Sequence, residues 1–144
     1  MTGSNQLETE VPLALQTVSD IDKAVAISNA IQSCAGTLFE TRILQVDYTG
    51  RLGYRGPFRR FAQIRFALYL GEDDENPEDT IQSLQAVDDS SIAAEIAAGV
   101  GKLTGEKYQA VITLKNFRPV RKDRELASIT MQLALLPKIE STVK

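Results

Sequence analysis

The chain repeats itself. Shifting the 144-residue sequence by 69 positions lays Ala24 on Ala93, Ile27 on Ile96, Ile31 on Val100, Cys34 on Leu103, Gly36 on Gly105, Phe39 on Tyr108, Ile43 on Ile112, Asp47 on Asn116 and Tyr48 on Phe117, with no gap. Past the next turn the second copy reads as four residues shorter, and Ala62, Ile64, Leu68 and Leu70 meet Ala127, Ile129, Leu133 and Leu135. Two copies of so long a period are too few for a solenoid, which stacks many shorter units. The repeat therefore predicts one pseudo-symmetric domain whose halves share a core, and 144 residues is an ordinary size for such a domain.

Each copy has the same order of signals. Ser19 with Asp22 three residues on resembles a capping box, and Ile21, Ala24, Val25, Ser28 and Ile31 follow at helical spacing until Gly36, which predicts a helix over about 20–34. Leu38 to Tyr48 and Phe61 to Leu70 are rich in β-branched and aromatic residues and flank Gly50, Gly53, Gly56 and Pro57, the pattern of a long hairpin. A helical turn around Ile81 to Val87 precedes a second helix, capped within Asp88–Ser91 and carrying Ile92, Ile96, Val100 and Leu103 to its end at Gly105. Tyr108 to Phe117 and Leu126 to Leu135 form the second hairpin. Before the first copy, Val11 to Val18 reads as an edge strand with its proline near the start.

The fold class that follows is α+β. Two helix–strand–strand repeats form a mainly antiparallel sheet, or a sandwich of hairpins, with both helices on one side. Residues 1–18 are an N-terminal arm or edge strand, 19–136 the domain with repeats at about 19–71 and 88–136, and 137–144 a polar tail. In the second strands, Ala62, Ile64, Phe66, Leu68, Leu70 and Ala127, Ile129, Met131, Leu133, Leu135 alternate onto one face, which should meet the helices. The first strand breaks this rule, because Leu44, Val46 and Tyr48 alternate onto the face opposite Phe39 and Ile43. Two readings stand: a central strand covered by the N-terminal segment, or a subunit interface formed by Leu44, Val46, Tyr48 and Tyr69.

Composition argues against most chemistry. The chain has one cysteine, Cys34, and no histidine, so it lacks an internal disulfide, the commonest metal ligand and the commonest general base. No cofactor or metal is expected, and Cys34 reads as a core position rather than a nucleophile. Sixteen basic and nineteen acidic residues leave a net charge of −3, too small for global attraction to nucleic acid or anionic lipid. Neither a secretory leader nor a membrane span is visible, which points to a cytoplasmic protein with no membrane partner.

Three local features invite a site. Ala98 to Gly105 holds glycines before Lys102, but a phosphate loop would require glycine at 96 and Ser or Thr at 103, where Ile96 and Leu103 stand; a frayed or closely packed helix end is the better reading. Glu72, Asp73, Asp74, Glu75, Glu78 and Asp79 crowd an acidic stretch without the ligand spacing of a calcium loop, and read as a solvated loop. Arg51, Arg55, Arg59 and Arg60 gather at the first hairpin tip, and Arg118, Arg121, Lys122 and Arg124 at the second. Such tips can touch nucleic-acid phosphates or dock onto the acidic loop of a neighbouring copy.

In size, in element order and in its Gly/Arg hairpin tip, acidic connection and closing strand Ile129-Thr-Met-Gln-Leu-Ala-Leu135, the chain resembles small assembly proteins of tailed bacteriophages, the tail tube and tail terminator proteins. The resemblance implies a non-enzymatic virion subunit, assembled in the host cytoplasm, that forms homo-oligomeric rings through sheet and hairpin contacts and meets other assembly proteins. The alternative expectation is a small module that binds nucleic acid or a phosphate-rich ligand at the arginine tips.

Overall fold

Helix α2 (Asp20–Ala35) starts and stops where its chemistry dictates: the Ser19 hydroxyl accepts the Asp22 N–H at 3.1 Å, and Gly36 takes the left-handed φ of 83° that ends it. The computed structural model describes residues 8–9, 13–52, 58–70, 76–117 and 129–137. Within them the order is β1 (Glu8–Thr9), α1 (Leu13–Thr17), α2, β2 (Glu40–Leu52), β3 (Phe58–Tyr69), α3 (Pro77–Gln85), α4 (Asp89–Thr104), β4 (Tyr108–Phe117) and β5 (Ile129–Pro137). Asp88 precedes α4 in extended backbone and Gly105, at φ 77°, closes it. The fold is α+β, with an antiparallel sheet of β2, β3, β5 and β4 in that order and short β1 running parallel to the start of β3.

The two hairpins join through their second strands. The β3–β5 ladder runs from Ala62 opposite Leu135 to Leu68 opposite Ile129, and its middle pair is Arg65 with Gln132. Each half of that ladder maps onto the other, so the pseudo-two-fold axis passes through this pair. The register also corrects the repeat: Ile43 opposes Phe66 and Ile112 opposes Leu133, so Phe66 corresponds to Leu133 and the second copy is two residues shorter, not four. A shift of two residues keeps every side chain on its face, so alternation alone could not separate the two alignments.

The repeat also reaches further upstream than its predicted start. At the same shift Leu15 of α1 meets Leu84 of α3, both fully buried, and Val18 meets Val87. Each unit is thus a short helix, a long helix and two strands. The expected edge strand over Val11–Val18 is overturned: Leu13–Thr17 is helix, and the edge pairing falls instead to Glu8–Thr9 against Phe58–Arg59.

One face of the sheet is the core. Ala62, Ile64, Phe66, Leu68 and Leu70 from β3 and its end, with Ile129, Met131, Leu133 and Leu135 from β5, are buried against Ile27 and Ile31 of α2 and Ile92, Ile96 and Val100 of α4. This is the alternation the sequence predicts; truncating one such side chain, Phe66 to alanine, costs about 3–5 kcal/mol. Ala127 lies outside the described residues.

The doubly apolar strand dissolves in the structure. A bulge between Ile43 and Gln45 leaves Leu44 without a cross-strand partner, so Ile43 opposes Phe66 and, three residues on, Val46 opposes Ile64. The extra residue reverses the phase of alternation, as a bulge must. Ile43, Val46 and Tyr48 therefore share the core face, partly buried against the cluster, while Leu44 is 52% exposed. β4 has its bulge at the equivalent place, between Ile112 and Leu114, and the device belongs to both copies. The prediction is direct. Val46→Asp should lower unfolding free energy by roughly 2–4 kcal/mol, whereas Leu44→Asp should stay within about 0.5 kcal/mol of the parent. Chemical denaturation of the two variants checks it, and equal stabilities would contradict the bulge.

The glycine segment is a helix end, and of the two expected forms it is the packed one. A Cβ on Gly101 would stand 2.7 Å from the Glu106 carbonyl oxygen, whereas one on Gly99 would meet the Ala26 carbonyl oxygen at 3.4 Å, an ordinary contact. Opposite signs follow: Gly101→Ala should destabilise by about 1–3 kcal/mol, and Gly99→Ala should be neutral or stabilising by up to about 1 kcal/mol, the helix propensity difference. Thermal unfolding of the pair decides between this and a flexible loop, which would tolerate both.

Candidate functional site

Of the four residues expected to form one interface, the bulge separates two from two. Val46 and Tyr48 face the core, while Leu44 is on the opposite face with half-buried Tyr69, over whose ring the Arg42 guanidinium lies at 4.3 Å. The predicted constellation is therefore not one surface. What the outer face does hold is Gln63, Arg65, Tyr69, Thr130 and Gln132, with Arg65 Nε donating to Gln132 Oε1 at 3.1 Å on the pseudo-axis. Ala67 and Ala134 are nearly buried there although no element covers them among the described residues. Ala67 lies between Arg42 and Thr130 and Ala134 between Val111 and Gln63, so longer neighbours shield them.

Tyr48 belongs to a polar cluster that sequence reasoning missed. Lys23, on the core side of α2, is only 2% exposed. Its ammonium donates to the Val18 carbonyl at 3.1 Å and to the Tyr48 hydroxyl at 2.6 Å, stands 3.8 Å from the Asp20 carboxylate, and sits 5.3 Å from the centre of the Tyr48 ring. The Tyr48 hydroxyl in turn donates to the Leu15 carbonyl at 3.5 Å. A buried ammonium is tolerable only when its protons are so engaged. The cluster ties α1 and its connection to α2 onto β2.

The second copy builds the same contact from different residues. Asp20 corresponds to Asp89 and Tyr48 to Phe117, but Lys23 corresponds to Ile92 and Val46 to Lys115. Lys115 reaches up from the strand to Asp89 at 2.7 Å and lies 5.5 Å from the centre of the Phe117 ring. Each copy thus holds one lysine, one apolar partner, one helix-start aspartate and one aromatic ring, with lysine on the helix in the first and on the strand in the second. The signal was present in the aligned residues, since Asp20–Asp89 and Tyr48–Phe117 keep their chemistry while the other two positions exchange theirs.

Coupling through Lys23 is measurable. Tyr48→Phe alone should cost about 1–3 kcal/mol because it strips a partner from a buried charge. In a Lys23→Met background the same change should cost less, and the double-mutant cycle should give a coupling of about 0.5–3 kcal/mol. Additive effects would show that the two side chains do not depend on each other.

The remaining candidates carry little chemistry. Cys34 is half-buried, its Sγ 3.6 Å from the Ser91 carbonyl, and burial first and the Glu95 carboxylate second push its thiol above the ordinary range, away from nucleophilic reactivity. Its repeat partner Leu103 is 43% exposed, against the expected core position. The Tyr108 hydroxyl is buried with no well-formed hydrogen bond among the described residues, and burial raises its phenol against the opposing effect of the nearby Thr104 hydroxyl. Glu78 and Asp79 are not loop residues: they occupy the first turn of α3, where carboxylates suit the positive end of the helix dipole. Glu72, Asp73, Asp74 and Glu75 lie outside the described residues, as do Arg55, Arg118, Arg121, Lys122 and Arg124. Of the basic tips, the backbone places Arg51 opposite Arg60 and Leu52 opposite Arg59 in the β2–β3 ladder.

Among the described residues no group of three or more acidic, cysteine or histidine side chains is placed to hold a metal ion. Among the described residues no helix is long and apolar enough to cross a membrane. No family model, no curated protein and no solved structure matches the chain.

What remains as a candidate site is surface rather than pocket chemistry. Among the described residues β2 and β4 pair on one edge only, and large apolar side chains stand exposed along the helices and edge strands: Ile21 at 76%, Val25, Leu38, Leu44 and Val111.

Proposed function

We propose that the chain is a non-enzymatic structural subunit of a symmetric homo-oligomeric assembly. The observation that carries this reading is the pair of open sheet edges, β2 and β4, bordered by exposed Ile21, Val25, Leu38, Leu44 and Val111. A monomer ordinarily blunts such edges with charge, proline, bulges or a covering element; β2 and β4 each carry a bulge, so it is the exposed apolar side chains beside them that favour a protein partner. The finer reading is a tail component of a tailed bacteriophage, of tube or terminator type, assembled into the virion. It is supported by the likeness of size and element order and by a sheet whose long helices, among the described residues, all pack on one face. The outer face then remains available to further assembly proteins.

Sedimentation velocity across a concentration series tests the coarser reading. The expected result is concentration-dependent growth from monomer to oligomer. A single monomeric species up to about 100 μM, a concentration at which a subunit contact of micromolar affinity would be saturated, would overturn it.

A further inference from the structure

Between the outer flank of α4 and the start of β4 lies a groove of about 800 Å³. Its lining includes the small residues Ala97, Gly101 and Ala110 and the exposed polar side chains of Lys102, Glu106, Lys107 and Gln109. In the first copy, Ser28, Gln32 and Thr41 stand in place of the three small residues, and the Ser28 hydroxyl donates to the Thr41 hydroxyl at 2.7 Å in a buried bridge from α2 to β2. The groove therefore follows from alanine and glycine at these positions rather than from the fold itself. Charge changes with it. Ser33, Thr37, Leu38 and Glu40 occupy the places of Lys102, Glu106, Lys107 and Gln109, so one negative charge in the first copy becomes two lysines against one glutamate in the second, a balance of one positive. Opening and added positive charge occur together, on one flank only.

We propose that the α4–β4 groove binds a free anionic amphiphile, a small molecule with a narrow apolar body that ends in a carboxylate. A recess of this size, walled by small side chains and carrying a few polar groups, has the form of a small-molecule site. The apolar body lies against Ala94, Ala97, Ala98 and Gly101, and the carboxylate meets Lys102 and Lys107. A wall made mostly of alanine and glycine suits an alkyl chain over a bulky aromatic body. From Ala94 to Gly101 that wall is about 10 Å long at the helical rise, the length of a medium alkyl chain. Lys102 and Lys107 outnumber Glu106, which sets the sign of the head group. The site is independent of self-association and adds a ligand to a chain read above as a structural subunit.

Calorimetric titration with decanoate, below its micelle concentration, tests this, and decyltrimethylammonium supplies a comparable chain on a cationic head. The parent should bind decanoate saturably at one site and at least about 5-fold more tightly than the cationic amphiphile. Ala97→Ser with Ala110→Thr introduces the first copy's hydroxyl bridge; this variant should keep its thermal transition and bind decanoate about 10-fold more weakly or worse. Should it lose that transition, Ala94→Gln at an exposed position obstructs the groove instead. Lys102→Ser with Lys107→Leu introduces the first copy's uncharged residues and should remove the preference between the two head groups. Decanoate that does not saturate the parent, that binds the obstructed variants as tightly as the parent, or that binds no better than the cationic amphiphile would overturn the proposal. None of these results bears on self-association, which sedimentation decides separately.

Discussion

Everything in the fold depends on the β3–β5 ladder. Each unit alone is a hairpin with two helices over one face, and the buried cluster draws its side chains from both units. Joining the second strands back to back makes one four-stranded sheet whose inner face is continuous from Ala62–Leu70 to Ile129–Leu135. Only then do α2 and α4 lie side by side over a shared core, with Ala26 close to Gly99 at their contact. The antiparallel register centred on Arg65 and Gln132 sets the pseudo-symmetry, and the symmetry in turn carries the long helices to one side and the two open strands to the edges.

Within that symmetry the copies have diverged where function would be expected to act. The core positions remain apolar in both, as close packing demands. The lysine–aspartate–aromatic contact survives in both copies although lysine has moved from helix to strand, which shows that the contact, rather than the residue at a given position, is retained. The flanks differ most. Hydroxyls and large side chains fill the β2 side where alanine and glycine leave the β4 side hollow.

The spans and ends of α2 and α4 and the core faces of β3 and β5 were legible in the sequence because they depend on neighbours within a few residues. Ser19, Gly36 and Gly105 act through local backbone geometry, and alternation along a single strand reads correctly wherever the pleat is regular. The duplication itself was legible from Ala24 and Ala93 onward, but its upstream part, where Leu15 of α1 meets Leu84 of α3, emerged only in the structure. The interface set was not legible. Leu44, Val46 and Tyr48 share a parity in the sequence, but parity holds only while the pleat is unbroken, and the bulge after Ile43 lies in the middle of that run.

The sequence by itself determined two like units, their long helices α2 and α4, and which face of each second strand is apolar, since these follow from periodicity and capping. Tertiary structure alone decided the remainder. Pairing β2 against β3 inserted the bulge that turns Val46 and Tyr48 inward; pairing β3 against β5 chose between two alignments that alternation treats alike. Burial of Lys23 was decided likewise, because an ammonium can leave water only when Val18, Tyr48 and Asp20, distant or unremarkable in sequence, are folded around it. Those choices depend on what stands across the gap, which no single segment encodes.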